Sequence, residues 1–283
     1  MLPIVFTQSL VRDRPYRSTE TVGGVTQMRH ALWTYRNESS DPRLSGRFDV
    51  VINLDQRQAD MSARMWGTSR LSNQGGTWIG KWTGGIAAGG DVHHLYITQK
   101  GTGGYAGLVS HSSGWFVEAG EGFTSDIQIV NAGWIETSDG SPAPPAPGPG
   151  TTPANWTPVV AIETINHPAY EGPEPWIVDV EGSDARVGGR LEGWFEEAGA
   201  ERSDRSVDYG GAWSLTNQDG AWKSTLFSGV RGPDAVEHFQ YVTFSGSRAY
   251  AGLTYHECSH FMERQDYVKG DALISTGWIE EAK

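Results

Sequence analysis

The sequence predicts an all-β protein made of two tandem antiparallel β-barrels, each of about eight strands. Three observations predict this class. The 283-residue chain repeats a set of motifs in the same order. Glycine and tryptophan are abundant, at 37 and 12 residues. The apolar runs are short, β-branched or aromatic, and they end at Gly, Asn or Asp, as strands joined by tight turns do.

The duplication is the first element of this prediction. Tryptophans at 78 and 222 end matching hexapeptides, a displacement of 222 − 78 = 144 residues. Four motifs occur in both copies: SDPRLSGR (40–47) and SDARVGGR (183–190), NQGGTW (73–78) and NQDGAW (217–222), GTGGYAGL (101–108) and GSRAYAGL (246–253), and GWIE (133–136 and 277–280). A pattern that recurs at this period is typical of one folding unit that was copied.

The Pro- and Gly-rich run DGSPAPPAPGPGTTPANWTP separates the copies. We expect a semi-extended linker that pairs into neither sheet nor helix. The predicted boundaries are therefore 1–138 for the first barrel, 139–158 for the linker and 159–283 for the second barrel. We also expect the two repeats to pack together as a pseudo-dimer.

Composition and charge limit the partners. The net charge of −12 would repel a polyanion, so no nucleic acid is expected. The single cysteine, Cys258, allows no internal disulfide and fits a reducing cytosol, which predicts a cytoplasmic location. The opening MLPIVFTQSLVRDR lacks a basic start, and no segment is long enough to span a membrane, so no membrane partner is expected.

Alternation along the strands predicts which side chains face the barrel interiors. Trp78, Gly80 and Trp82 share one face of their strand, opposite Ile79. The second copy places Trp222, Ser224 and Leu226 together in the same way. Large and small side chains that alternate inward fit the tapering interior of a small barrel.

The repeated YAGL motif predicts a hairpin. We expect the glycine before Tyr105 to allow a tight turn, and Tyr105 or Tyr250 to start the next strand. Gly107 and Gly252 would let a neighbouring side chain lie against the backbone.

The motif order SDPR-x-SG, MWGT-x-RL-x-N-x-GGTW-x-G-x-WTG, G-x-GGYAGL and GWIE resembles the allene oxide cyclase barrel-like group, over residues 40–137 and 183–281. That group comprises eight-stranded antiparallel barrels akin to dirigent proteins and calycins. Its members of known activity close rings, on fatty-acid-derived epoxides in plants and on polyene intermediates, by Diels–Alder-type cycloaddition, in bacterial polyketide pathways. The resemblance implies a cofactor-independent cyclase or isomerase that acts on a small, largely apolar molecule. It supplies no catalytic motif that could be transferred residue by residue.

Three short motifs suggest other chemistry, and their context argues against it. GTGGYA, a dinucleotide fingerprint, is followed by no helix, and GGTWIGKW has Trp82 where a phosphate loop needs Ser or Thr. HECSH matches the zinc motif H-E-x-x-H, but the repeat places it on a strand, where His256 and His260 would stand roughly 13 Å apart. We therefore predict neither a metal site nor a cofactor.

The candidate catalytic residues are polar groups near the YAGL motifs. His111 aligns with His256, and His94 aligns with His238; each could be a general acid or base, or a buried imidazole with a structural role. Glu257 joins them because the second copy is the more polar one after YAGL. The expected substrate-binding residues are the aromatic side chains Trp66, Trp78, Trp82, Tyr105, Trp115, Trp213, Trp222, Tyr250 and Tyr255.

Two further matched sets of residues bear on the fold or on proton transfer. The Asp41–Arg43 pair and its counterpart Asp184–Arg186 predict a turn or cap with a paired arginine. Asp49 and Glu192 also correspond; facing inward, they would have a raised pKa suited to proton transfer, and facing outward they would be solvated. The alternative function is a non-catalytic barrel that binds an apolar ligand or a carbohydrate.

Overall fold

A computed structural model describes residues 1–86, 93–116, 129–167, 174–197, 207–231, 237–262, 270 and 272–281. It confirms the fold class, because the described chain forms two closed eight-stranded antiparallel barrels in tandem. The chain divides into two compact units, Met1–Pro153 and Ala154–Lys283. None of the described residues forms a helix long and apolar enough to cross a membrane.

The first barrel is an up-and-down ring with one extra strand. Its strands are β1 (Leu2–Arg14), β2 (Ser18–Val22), β3 (Val25–Ser39), β4 (Gly46–Arg57), β5 (Ala63–Asn73), β6 (Gly76–Ile86), β7 (His93–Gly103), β8 (Leu108–Phe116) and β9 (Ile129–Thr137). Strands β3 to β9 pair in sequence order, and β1 closes the ring by pairing with both β9 and β3. The extra strand β2 pairs with the start of β3, ahead of the segment that β1 occupies.

The second barrel is a plain eight-stranded ring. Its strands are β10 (Trp156–His167), β11 (Trp176–Gly182), β12 (Gly189–Glu197), β13 (Val207–Thr216), β14 (Gly220–Arg231), β15 (Glu237–Arg248), β16 (Leu253–Met262) and β17 (Ala272–Glu281). Each strand pairs with its neighbours in the chain, and β10 pairs with β17 to close the ring. Closure leaves no unpaired sheet edge around the ring.

The run between the barrels differs from the predicted linker at both ends. Pro142 bridges to Glu136, Ala143 is buried in the core of the first barrel, and the Thr151 amide donates to the Ser39 carbonyl at 2.8 Å. At the other end, 156–158 belongs to β10 and pairs with β17. Proline is tolerated in the first residues of a strand, so Pro158 does not prevent this pairing. The two compact units divide between Pro153 and Ala154.

The inward alternation is confirmed in β6 and fails in the second half of β14. Trp78 and Trp82 are buried, and Ile79 is half exposed. In β14, Ser224 pairs with Phe244, and Leu226 pairs with Thr243, the neighbour of Phe244 on β15. The residue between Ser224 and Leu226 is therefore an insertion in β14, a β-bulge. A bulge reverses the faces beyond it. Leu226 is consequently 48% exposed, and Phe227 packs on the core instead.

The repeated motifs meet at one end of each barrel and close it. In the first copy, the Asp41 side chain accepts from the Arg43 amide at 2.9 Å and pairs with its guanidinium, as a cap on a short 3-10 turn (Pro42–Leu44). The Arg43 carbonyl accepts from Trp78 Nε1 at 2.8 Å, and Tyr105 stacks on Trp78 with ring centroids 5.3 Å apart. The Tyr105 hydroxyl donates to Asn73 Oδ1.

The second copy repeats this closure. Asp184 caps the turn Ala185–Val187 and pairs with Arg186, whose carbonyl accepts from Trp222 Nε1 at 2.7 Å. Tyr250 stacks on Trp222 with centroids 5.1 Å apart and donates to Asn217 Oδ1 at 2.9 Å. The predicted role of the Asp–Arg pairs as caps is confirmed.

The YAGL tyrosines lie in the turns, not at strand starts, because β8 begins at Leu108 and β16 at Leu253. The expected role of the glycines is also wrong. A Cβ built on Gly107 or Gly252 would have no neighbour within 4 Å, so no side chain lies against them. Both have φ near +84°, the left-handed conformation that glycine adopts without steric cost.

Candidate functional site

His111 and His256 lie on the outer faces of their barrels. Tyr255 belongs to the core of the second barrel, so His256, its neighbour on β16, faces the opposite side. Its ring stacks on Trp278 with centroids 4.6 Å apart and planes 10° apart. His111 stacks on Trp134 in the same way, at 4.6 Å and 16°. These two histidines therefore do not reach a molecule inside either barrel.

A hydrogen-bonded chain holds each of these histidines in place. In the first barrel the Tyr96 hydroxyl lies 3.0 Å from His111 Nδ1, and His111 Nε2 lies 3.3 Å from Glu136 Oε1. Burial lowers the pKa of His111, and the carboxylate of Glu136 opposes that effect.

The same chain in the second barrel joins Tyr241 to His256 Nδ1 at 2.8 Å and His256 Nε2 to Glu280 at 3.4 Å. Hydrogen bonding to His256 lowers the pKa of Glu280. Stacking and bonding at both ring nitrogens favour the structural role of these histidines.

The predicted match between His94 and His238 is wrong. Tyr96 and Tyr241 make equivalent hydrogen bonds and are 145 residues apart (241 − 96). The extra residue in the β14 bulge therefore lengthens the offset between matching residues of the two copies by one. His94 therefore corresponds to Phe239, and it faces outward beside Gly85. His238 faces inward, with its ring centroid 5.8 Å from that of Tyr209.

The predicted aromatic residues divide into three groups. Trp66 and Trp115 lie on the outer face, and Trp66 is flanked by the guanidinium groups of Arg29 and Arg64 at 5.0 and 5.8 Å. Four residues close the ends of the barrels: Trp78, Tyr105, Trp222 and Tyr250. The remaining three face the interior: Trp82, Trp213 and Tyr255.

The HECSH segment lies on strand β16, as predicted, and residues four apart on a strand are separated by roughly 13 Å. Glu257 points inward, whereas His256 and His260 point outward. Within the described residues, no three His, Cys, Asp or Glu side chains are grouped to hold a metal. Asp49 and Glu192 are also on the outer faces, paired with Arg47 and Arg190.

Two buried carboxyl groups face the interior of the second barrel. Glu163 on β10 lies on the same face as the core residues Val159 and Ala161. Glu257 on β16 shares its face with Tyr255. Ser259 Oγ donates to Glu257 Oε1 at 3.0 Å, and Gln240 Nε2 donates to the same atom at 3.3 Å.

The two carboxyl groups are electrostatically linked. Burial first, and the charge of Glu163 second, raise the pKa of Glu257 to about 8. Burial likewise raises the pKa of Glu163, with the Ser275 hydroxyl partly opposing it. Among the described residues, no Lys, Arg or His forms an ion pair with either group. Near neutral pH this pair therefore keeps at least one proton, since two uncompensated charges cannot be buried together.

Tyr255 completes the polar cluster. Its side chain is 1% exposed, and its hydroxyl lies within hydrogen-bonding reach of Glu257 and Ser275. Burial and the neighbouring carboxylates raise the pKa of this phenol, so it stays neutral.

An aromatic cluster centred on Phe195 occupies the interior beyond the carboxyl pair. Phe195 makes edge contacts, with centroids 5.0 to 6.0 Å apart, to four rings: Trp176, Tyr209, Trp213 and Phe227. The Tyr209 ring lies over Gly229, and Gly229 pairs with Gln240 across the strands. Gln240 in turn donates a hydrogen bond to Glu257, so the cluster adjoins the carboxyl pair. Phe195 is nevertheless 39% exposed, so solvent reaches this end of the interior.

The first barrel has the same arrangement of strands, but different side chains face its interior. Strand register gives the counterparts: Ser112 for Glu257, Gln8 for Glu163, Ile52 for Phe195, Met65 for Tyr209, and Ser69 for Trp213. These side chains are neutral, and Ile52 and Met65 are buried aliphatic groups of the core. Only the second barrel, within the described chain, combines carboxyl groups with an aromatic cluster in its interior.

Of the predicted catalytic residues, Glu257 belongs to the carboxyl pair and His238 lies beside Tyr209 of the aromatic cluster. The sequence did not point to Glu163, Phe195, Tyr209 and Phe227. The signal for Glu163 was available: it interrupts the inward positions of the apolar strand VVAIETINH. Phe227 was missed because the bulge reverses the alternation in β14.

Comparison of this chain with models of protein families, with curated proteins and with solved structures found no match.

Proposed function

We propose that the interior of the second barrel is the active site of a cofactor-independent enzyme. The enzyme binds a small, largely apolar molecule and promotes a ring closure or isomerisation. The observation that carries the proposal is the buried Glu163–Glu257 pair beside an aromatic cluster. The first barrel has Gln8 and Ser112 in place of the carboxyl groups and Ile52 in place of the central Phe195. Groups with strongly shifted pKa values concentrate at functional sites.

The chain's own residues would divide the work as follows. The aromatic cluster would hold a flexible substrate in a folded conformation, which lowers the entropy cost of joining its ends. The protonated carboxyl of the pair would donate a proton to the substrate, and its ionised partner would accept one. A pKa near the working pH suits both steps.

The reaction class comes from the resemblance to allene oxide cyclase-like barrels. A non-catalytic carrier of an apolar ligand or a carbohydrate is the alternative, and the Phe195 cluster would serve it equally well. In either case the first barrel would have a structural role, and the second barrel would hold the ligand. Packing of the repeats as a pseudo-dimer and a cytoplasmic location stay predictions.

The test begins with the full-length chain and whatever small molecule it retains on purification, identified by mass spectrometry. We expect the wild type and the outer-face variant His256→Gln to retain the same apolar molecule, and Glu257→Gln and Glu163→Gln to retain less. A substrate built on that molecule should be turned over by the wild type and by His256→Gln only.

The outcomes separate the possibilities. Equal retention and turnover by the glutamate variants would refute the proposed site. Retention that depends on the glutamates, without turnover at any pH, would establish the carrier. Loss of turnover in His256→Gln with unchanged circular dichroism would restore the sequence-based assignment of the histidines.

A further inference from the structure

The second barrel buries two carboxyl groups in its interior, where Arg231 and His238 also face inward, at the end that holds Tyr209. Glu163 and Glu257 are both buried and form no ion pair with a described cation. Their described hydrogen-bond donors are neutral: Ser259, Gln240 and the hydroxyls of Tyr255 and Ser275. A buried carboxylate is stable only when it is protonated or paired with positive charge.

The aromatic cluster adds an independent feature of the same site. Phe195, Tyr209, Trp213 and Phe227 pack together at the solvent-exposed end of the interior, with Phe195 in edge contact with the other three rings. The faces of aromatic rings are electron-rich, and groups of them are a common means of binding organic ammonium ions. The Tyr255 hydroxyl, 1% exposed, is a further neutral polar group beside Glu257.

We infer that the ligand of the second barrel is an organic cation, an apolar molecule that carries one basic nitrogen. The nitrogen lies as an ammonium group between the carboxyl pair and the aromatic cluster, and the apolar body lies against the rings. The proton that the empty pair holds leaves to solvent when the ammonium enters. This inference rests on the proposed function, because it assigns a substrate class to the same site.

The first barrel shows what the same framework holds in the absence of these features. Gln8 stands in place of Glu163, is fully buried and bonds to Asn37 at 3.0 Å, and Ser112 stands in place of Glu257. Ile52 fills the place of Phe195. A cation would find neither a carboxylate nor a complete aromatic cage there, so binding should be confined to the second barrel.

The experiment compares three probes of one shape: 2-phenylethylamine, 2-phenylethanol and phenylacetate. Binding to the full-length chain is measured by calorimetry near neutral pH, and the site is located by hydrogen exchange and mass spectrometry. We expect the amine to bind about ten-fold or more tightly than the alcohol, the effect typical of a charged hydrogen-bonded partner, and phenylacetate to bind least.

Two variants and one control locate the effect. Glu257→Gln and Glu163→Gln should each lose most of the preference for the amine, while Glu192→Gln, which changes an exposed carboxylate on the outer face of the same barrel, should keep it. Circular dichroism confirms that each variant folds, and either glutamate variant suffices if the other does not.

The results distinguish this inference from the proposed function. Equal binding of amine and alcohol inside the second barrel would leave the proposed site standing and overturn the cationic ligand. Preference for phenylacetate would overturn it as well. Binding of no probe to the second barrel would count against both.

Discussion

Replacing Glu257 by Gln is the most direct test of the buried carboxyl pair, because glutamine keeps the size of the side chain and removes its titration. The second barrel of the wild type should lose stability as the pH rises, and the variant should lose much less. Glu163 contributes to the same dependence, and its own pKa should fall once the charge at position 257 is gone.

The sign and the size follow from the structure. Burial first, and the charge of Glu163 second, raise the pKa of Glu257 from an ordinary 4.5 to about 8. The folded state therefore holds this proton more tightly than the unfolded chain does. The resulting stability is complete below about pH 4.5 and is lost as the pH rises through about 8. One proton changes the free energy of unfolding by at most about 1.4 kcal/mol per pH unit, so the total loss is bounded at about 5 kcal/mol.

The assay must report on the second barrel alone, because the chain has two compact units. We would unfold the protein in urea at several pH values and follow unfolding by pulsed hydrogen exchange. Mass spectrometry of peptides from 253–262 then reports on the second barrel. Glu192→Gln is the matched control, since that outer carboxylate is partly exposed and paired with Arg190. An identical pH slope in the wild type and in Glu257→Gln would refute the buried, proton-holding pair.

Three further predictions concern the framework. Trp222→Ala should lower the free energy of unfolding by about 3–5 kcal/mol in denaturant titrations, because Trp222 is fully buried. Leu226→Ala should change it by almost nothing, because the bulge in β14 exposes Leu226. Equal losses would contradict that bulge. Gly252→Ala should cost about 1–2 kcal/mol, since φ is +84° and the space around it is open; an unchanged midpoint would mean that the turn is not left-handed. Tyr105→Phe should cost about 0.5–1.5 kcal/mol through the lost bond to Asn73, and a stability equal to the wild type would place that hydroxyl in water.

The sequence alone was sufficient to predict the two barrels, because strand length, turn residues and inward alternation are local properties of the chain. Trp78, Trp82 and Trp222 are buried as the alternation of their strands required. The placement of HECSH on a strand is also confirmed, since the repeat matched it to the strand that follows YAGL.

The composition of the site depended on tertiary structure. One inserted residue in β14 moved Leu226 to the surface, brought Phe227 inward and shifted the match of His238, and no local pattern marked that insertion. The faces of His111 and His256 likewise required knowing which neighbours belong to the core.

Local sequence thus determined that the chain forms two closed antiparallel rings with glycine turns and aromatic interiors. Only the closed ring decided that Glu163 and Glu257, which are 94 residues apart (257 − 163), face the same interior and share one electrostatic environment. The physical reason is that strand alternation sets the face of each side chain, whereas ring closure, through β10 and β17, decides which faces meet.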